Sequence, residues 1–519
     1  MTTPFLTDPI LQLPGPRCVH VVWFTSIEGE GRVITGDAEF PANVTRPSRL
    51  SDDAHGRIEP VTVYRHEAVV SGLTEGARVP YRVEVTVGGT RYVSDEFTLS
   101  PALPAAAPAR LMLASDHQLH PNASRAMELA AATFGLPDAI VFAGDLANVP
   151  DRASEWFTAA AAFFPSLQGK ANAEGSDGRQ SAGAALLQHT PLYPCIGNHE
   201  VQGRIAGGQR LSMSAVPRAV AEASCPDALE GSARERWVED NSWSTRTYEE
   251  LFALPHNPSG HSRWYATTIG NVRLITLFHT RQWRGFDADP DPAKRRRSSR
   301  YQEAADVLAS PLLQGHGCHQ FSDIGPGSEQ FEWLRAELAS PERSACQYTV
   351  VQLHEGAHGW GGNVEPPFCE PERIEERDDA GALVGVRYEY DTSRNAFYTH
   401  VVPMLEQAGV QLVYSGHSHV WNRFEHGGTV YLEASNTGRT HGIHDDANPR
   451  PLPPAPWRRD EYTAVGNPYG LAPVVEPYGD SDIMNFTLFD GATGRLESWR
   501  CRVDGEPELY DVVTLTPSR

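Results

Sequence analysis

The hydrophobic pattern changes character near residue 100. Before that point apolar positions come as short β-branched or aromatic runs: Val19–Trp23, Arg32–Ile34, Pro60–Tyr64, Glu67–Ser71, Tyr81–Val87 and Thr90–Phe97. Gly and Pro punctuate them at the spacing of a β-sandwich. Pro101-Ala102-Leu103-Pro104-Ala105-Ala106-Ala107-Pro108 then reads as a stiff linker. Beyond it, short and nearly all-apolar runs alternate with helical patterns. Leu111–Ala114, Ala139–Ala143, Leu192–Ile196, Val272–Leu277, Tyr348–Leu353 and Leu412–Tyr414 predict strands buried on both faces. Ser124–Thr133 predicts a helix stopped at Gly135. Ser328 is placed to cap a second helix, carrying Phe331, Leu334 and Leu338. Asn395–Ala408 predicts a third, closed by Gly409.

Five polar motifs stand at or just past apolar runs. They are Asp116-His117-Gln118, Gly144-Asp145-Leu146-Ala147-Asn148, Gly197-Asn198-His199-Glu200, Val351-Gln352-Leu353-His354 and Gly416-His417-Ser418-His419. In α/β sheets the ligand crevice lies outside the carboxyl ends of the strands. Residues far apart in sequence can therefore meet there. Two Asp, one Asn and three His suffice for two adjacent metal ions sharing a bridging carboxylate, a device for hydrolysing phosphate esters. Carboxylate and amide oxygens suit hard cations, and imidazoles suit transition metals. Asp145 is the natural bridge. Asp116 and His419 suit one metal, while Asn198, His354 and His417 suit the other. Any one of these histidines alone would be read as structural; six candidates at successive strand ends would not.

His354-Glu355-Gly356-Ala357-His358 also matches the His-Glu-x-x-His signature of zinc proteases. That chemistry needs a helix, and a segment following a β-run and holding Gly356, Gly359, Gly361 and Gly362 is a poor one. His358 is instead a candidate second active-site histidine near the leaving group. A non-catalytic metal-binding scaffold is the third class, disfavoured by the complete donor set. The chain has no Gly-rich P-loop and no Gly-x-Ser-x-Gly elbow.

At 519 residues two domains are expected, 1–102 and 103–519, the second with insertions at about 166–188, 204–247 and 281–327. The first insertion, rich in Ala, Gly, Ser and Gln, reads as a mobile loop. The third holds the basic run Lys294-Arg295-Arg296-Arg297, a solvated face or a rim for an anionic substrate. A net charge of −22 argues against duplex nucleic acid and anionic membranes as partners. A metal centre still attracts phosphate locally. Seven scattered cysteines without a Cys-x-x-Cys pair do not form a disulfide framework. No apolar stretch nears the ~20 residues that span a bilayer. The N-terminus shows no secretory signal, so a cytoplasmic setting is the default, with an extracellular or periplasmic one left open.

The five motifs in this order resemble the calcineurin-like metallophosphoesterase superfamily, and within it most the purple acid phosphatases. Gly327-Ser328-Glu329-Gln330-Phe331-Glu332-Trp333-Leu334 and Arg423 after Gly-His-Ser-His-Val-Trp-Asn are smaller echoes. The resemblance covers about residues 19–440. It implies a four-layer α/β/β/α catalytic domain preceded by an all-β fibronectin type III-like sandwich. It also implies a metal-bridging hydroxide as nucleophile and a small phosphate ester, monoester or diester, as substrate. His199 would meet the substrate or protonate the leaving group, oriented by Glu200. Two departures matter. Gln118 stands where the family has Gly or His, and Asn148 stands where it has the tyrosine that binds ferric iron. Either may donate an amide oxygen. The resemblance thus implies two divalent ions such as Zn, Mn or Fe(II), with Fe(III) disfavoured.

Overall fold

A computed structural model describes residues 3–53, 57–201, 216–281, 302–318, 320–359, 370–441, 474–475 and 483–518. The N-terminal part holds two antiparallel sheets. One runs in the order Ile10–Gly15, Cys18–Thr25, Tyr64–Ser71, Asn43–Thr45. The other runs Thr90–Val93, Val79–Val87, Glu30–Thr35, Ala38–Pro41, with Phe97–Leu99 also on Val79–Val87. Leu11, Val21, Trp23, Val70, Val83 and Val85 from both sheets form their shared core. The strand Cys18–Thr25 serves two cores at once, because alternate side chains point to opposite faces. Val19, Val21 and Trp23 face the N-terminal core, while Val22 and Phe24 join the main core of the molecule. Phe24 packs 5.1 Å from the ring of Phe157 and 5.5 Å from that of Phe164. The linker is stitched down by the buried Asn271. Its side chain accepts from Ala109 N and donates to Gln347 and Gly491, while its backbone N–H donates to Ala107 O.

Two mixed sheets follow. In the first, the parallel strands Leu192–Pro194, Ala139–Phe142 and Arg110–Ala114 continue into the antiparallel Ile483–Asp490, Arg495–Arg502 and Glu508–Thr514. In the second the order is Tyr265–Ile269, Val272–Thr276, Tyr348–Glu355, Leu412–Gly416, Thr429–Ala434, Trp421–His426, Val474–Val475. Leu111 and Val141 of the first sheet share a core with Val350 and Leu432 of the second. Val351 and Val413 face the other way, onto Leu334, Val401 and Leu405 of two helices.

The helix signals have visible causes. The first helix, Pro121–Phe134, starts on Pro121 and ends at Gly135, whose φ of 69° suits glycine. Ser328 caps Glu329–Leu338 by accepting from Phe331 N at 3.2 Å. The expected helix over 395–408 divides into a π-turn, Phe397–Val401, and an α-helix, Val402–Gln407. Pro403 brings no N–H and crowds the preceding turn, which widens the ladder there.

The 166–188 insertion is not a loose loop. It folds into a ribbon, Ala173–Glu174 with Gln180–Ser181, and buries Leu167, Leu186 and Leu187 in the main core. From residue 216 the second insertion forms the helices Arg218–Ser224 and Gly231–Asn241, with Val216, Ala221 and Val238 packed together. The basic run Lys294–Arg297 lies outside the described residues, as does Cys369. Cys18, Cys195, Cys225, Cys318, Cys346 and Cys501 are free thiols. Among the described residues no helix is long and apolar enough to cross a membrane.

Candidate metal centre

Asp116, Asp145, Asn198, His354, His417 and His419 come together at the carboxyl ends of five strands, each at most 5% exposed. Asn198 Oδ1 lies 3.0 Å from His354 Nε2 and 2.9 Å from His417 Nδ1. Asp145 Oδ1 lies 3.3 Å from the same His354 nitrogen. Donor atoms of Asp145, His354 and His417 fall within 4.8 Å of one another, the spacing of ligands around one cation. His354 Nδ1 donates to the Ala143 carbonyl at 2.7 Å, which fixes the ring and leaves the Nε2 lone pair for a metal.

A second donor group adjoins the first. Asp116 Oδ1 is 3.6 Å from His419 Nε2 and is a buried carboxylate oxygen without a hydrogen-bond partner. A bare anionic oxygen in a dry site is costly, and a cation there removes the cost. The other oxygen of Asp116 accepts the Ser115 hydroxyl and the His417 N–H at 2.9 Å. The residues therefore fit two cations. Asp145, Asn198, His354 and His417 would hold one, and Asp116 with His419 would offer donors to the other.

The backbone is shaped for this. Asp116, Gln118, Asp145, His417 and His419 all have positive φ, between 41° and 90°. Non-glycine residues store strain in that region, and such strain gathers at functional sites. The motif glycines are there for close approach. A Cβ on Gly197 would stand 2.2 Å from Asp145 Oδ1, and one on Gly416 would stand 2.0 Å from Ser115 Oγ.

Charge and burial oppose each other in the site. Burial, aided by the Asp145 charge, raises the Asp116 carboxyl well above its ordinary range. Burial would do the same to Asp145, but His354 and His199 outweigh it and hold that carboxyl low. Burial disfavours a charged His354, yet Asp145 and Asp116 raise it to about 10. His417 is pushed down to about 3 by burial. Burial also holds His419 well below its ordinary value, with His441 and His120 adding to the effect. His417 and His419 are thus neutral and ready to accept a cation, whereas His354, kept protonated by Asp145 and Asp116, must give up that proton before a metal can bind it.

No protein-family model matches the chain. An Arabidopsis thaliana protein named "Probable purple acid phosphatase 20" is 26% identical over 218 residues, 38% of this chain and 44% of that protein. An uncharacterized protein of Mycobacterium tuberculosis is 26% identical over 181 residues, 34% of this chain and 23% of its own length. The matches thus span less than half the length of these relatives. The solved purple acid phosphatase from yellow lupin seeds shares the fold, with a TM-score of 0.56 at 14% identity over 97% of this chain and 73% of that one. The chain is related to the metallophosphoesterase superfamily.

Within this metallophosphoesterase fold several expected roles change. Glu200 does not orient His199 through Nδ1. Its carboxylate accepts the backbone N–H groups of Asp145, Leu146 and Gly197, each at 2.8 Å, and clamps two ligand loops together. Burial and the nearby Asp145 push it up to about 7. His199 Nδ1 donates instead to the Asn148 carbonyl at 2.8 Å, which turns Nε2 toward Asp145 Oδ2 at 3.7 Å. Gln118 Nε2 donates to Asp145 Oδ2 at 2.7 Å, and Asn148 Nδ2 donates to Gln118 O at 2.7 Å. The Gln118 amide braces the Asp145 carboxylate, and the Asn148 amide braces the Gln118 backbone. Arg423 is held by Asp511 and Glu425, away from the donor groups.

His358 is a correction too. Its ring sits among those of Tyr398, Phe424 and Tyr431, at 5.8, 5.5 and 4.7 Å, and burial lowers it to about 3. It is a core histidine and does not stand beside the leaving group. The strand runs through Glu355 and residues 356–359 are not helical, so His354 and His358 share no helical face as a zinc protease needs. Glu355 instead pairs with the buried Arg281, also accepting from Thr280 Oγ1 at 2.9 Å.

Two further histidines border the site. His441 stacks on His419 with centroids 4.3 Å apart, and His120 meets it edge-on at 5.6 Å. Both carried a signal in the sequence. His441 ends a polar stretch after the buried strand Thr429–Ala434, and His120 directly precedes the first helix. The same strand-end rule that finds the other ligands reaches them.

Proposed function

We propose that the chain is a dinuclear-metal phosphoesterase that hydrolyses small phosphate esters, with phosphomonoesters preferred. The single observation behind this is that Asp145 joins the donor group of His354 and His417 while its charge also acts on the adjoining Asp116 and His419. Two bound divalent cations would supply Lewis acidity and an activated water. The protein's own part is to fix the donors, exclude bulk water and bring His199 to the leaving oxygen. The reading includes a fibronectin type III-like identity for residues 1–102, a four-layer catalytic domain over 103–519, and a cytoplasmic setting. Elemental analysis of the purified protein, with rates on a monoester and a diester, tests it. Fewer than two bound metals, or no rate on either ester, overturns it; a diester preference makes it a phosphodiesterase of the same kind.

His199 is assigned as general acid because Asn148 O fixes its ring and turns Nε2 toward Asp145 Oδ2, at the edge of the donor groups. His199→Ala should slow esters of poor leaving groups by roughly 10²–10⁴-fold. Nitrophenyl esters, which depart unaided, should slow far less. Equal losses on both kinds would reduce His199 to a supporting residue.

The missing tyrosine carries a spectroscopic expectation. Asn148 offers no phenolate, and the nearby Tyr414 hydroxyl donates to Ala434 O at 3.3 Å. Neutral oxygen donors favour divalent ions over Fe(III). Iron-reconstituted protein should be colourless, and Asn148→Tyr should bring a visible charge-transfer band. A strong purple band in the unsubstituted protein contradicts this ligand set.

A further inference from the structure

The strands Asn43–Thr45 and Tyr64–Ser71 of the N-terminal sandwich are joined by a long excursion that leaves the sandwich. Leu50 and Val63 of this excursion are buried in the main core, beside catalytic-domain residues. Arg49, Ser51, Asp52 and Asp53 of this excursion grip one short segment, residues 151–154. Arg49 pairs with Asp151 through three contacts of 2.7–3.2 Å, both groups buried. Ser51 N donates to Asp151 O at 2.8 Å. Asp52 accepts from the backbone and hydroxyl of Ser154 at 3.2 and 2.6 Å. Asp53 takes both arms of the Arg152 guanidinium at 3.0 and 2.9 Å.

The grip is passed inward. Arg152 Nη1 donates to Glu155 Oε1 at 2.6 Å. The other oxygen of Glu155 accepts the backbone N–H groups of Asn148 and Val149 at 2.7 and 2.9 Å. That fixes the peptide units on both sides of Asn148. The carbonyl of Asn148 is the acceptor for His199 Nδ1. A continuous line of hydrogen bonds thus runs from Asp53 through Arg152, Glu155 and the Asn148 backbone to the His199 imidazole.

We propose that the N-terminal domain is a positioning element for His199, with Asp53, Arg152 and Glu155 as positioning residues. This rests on the assignment of His199 as general acid. The physical reason is tolerance. Proton transfer needs donor and acceptor within about 0.5 Å of their working separation, and a misplacement of about 1 Å can cost 10²-fold. A loop after a strand end is soft on its own, and two ion pairs and a hydrogen-bonded aspartate from another domain stiffen it. The pairs are partly buried, so their charges are less screened than those of surface pairs.

The test uses the full-length, Zn-loaded protein and the variants Asp53→Asn and Glu155→Gln, which keep size but remove charge. Two readouts are taken beside metal content. The first is the NMR signal of the His199 Nδ1 proton, assigned by its loss in His199→Ala. It should shift or broaden in both variants, most in Glu155→Gln. The second is the rate ratio between an alkyl phosphate and a nitrophenyl phosphate, which should fall about tenfold in Glu155→Gln with two metals retained. In the His199→Ala background the Glu155→Gln change should leave that ratio where it is. An unmoved Nδ1 signal in both variants overturns the proposal, as does a further tenfold drop in the His199→Ala background. If His199→Ala itself slows both esters equally, the general-acid assignment fails; the NMR signal still decides whether the sandwich holds the ring.

Discussion

Asp145→Asn is expected to release both metals and to lose phosphoester hydrolysis altogether. Asp145 Oδ1 faces His354 Nε2 and accepts His199 N at 3.0 Å, while Oδ2 accepts Gln118 Nε2 at 2.7 Å. An amide keeps one oxygen and replaces the other with a donor. That NH₂ must then meet either the Gln118 amide or the His199 N–H, donor against donor. The charge that offsets both cations also disappears. Losing a residue that merely supports a ligand weakens metal binding roughly 10–100-fold, and loss of a shared ligand should exceed that at both sites. Elemental analysis after gel filtration and a phosphatase assay read the result. Two metals retained with near-normal turnover would mean Asp145 is not shared.

Glu355→Ala should fail in a different way. A zinc protease would lose its base there. Here Glu355 answers the buried Arg281, whose backbone N–H it also accepts at 2.6 Å, and the pair is about 3% exposed. Removing one member of a buried pair costs about 3–5 kcal/mol, because the other charge is left in a dry place. In a chain of this size the thermal midpoint should fall by about 3–6 °C. Activity per folded molecule should survive at low temperature, and Glu355→Gln, which keeps an acceptor, should be milder. An unchanged midpoint, or a stable protein with no activity, would assign Glu355 to the chemistry instead.

How much of this could be read from residues alone depends on the kind of signal. Asp116, Asp145, Asn198, His354, His417 and His419 were legible because strand ends in an α/β sheet meet in one place whatever the sequence distance. Spacing alone misled at His358, four residues after His354, because the chain turns out of the strand at Gly356 and tucks that ring among aromatics. Glu200 shows a second limit. Its position beside His199 suggested a side-chain pair, whereas three backbone N–H groups claim its oxygens, and backbone partners leave no mark on residue type. Low-complexity composition misled over 166–188, where a few apolar residues, Leu167, Leu186 and Leu187, pack the segment into the main core. The excursion from the sandwich was invisible for a third reason. Arg49, Asp52 and Asp53 look like ordinary surface charge until their partners, a hundred residues later, are known.

The strand order of the first mixed sheet bears on how the chain is made. Arg110–Ala114, whose carboxyl end leads to Asp116, lies between Ala139–Phe142 and Ile483–Asp490. The first neighbour leaves the ribosome at once. The second comes only after nearly the whole catalytic domain has been translated, on the order of half a minute to a minute later at ordinary synthesis rates. Through that interval a strand that is apolar at four of its five positions has an open edge, which is the form most prone to pairing with another chain. Chaperone demand and translation speed should therefore govern the yield of this protein more than the stability of its finished fold does.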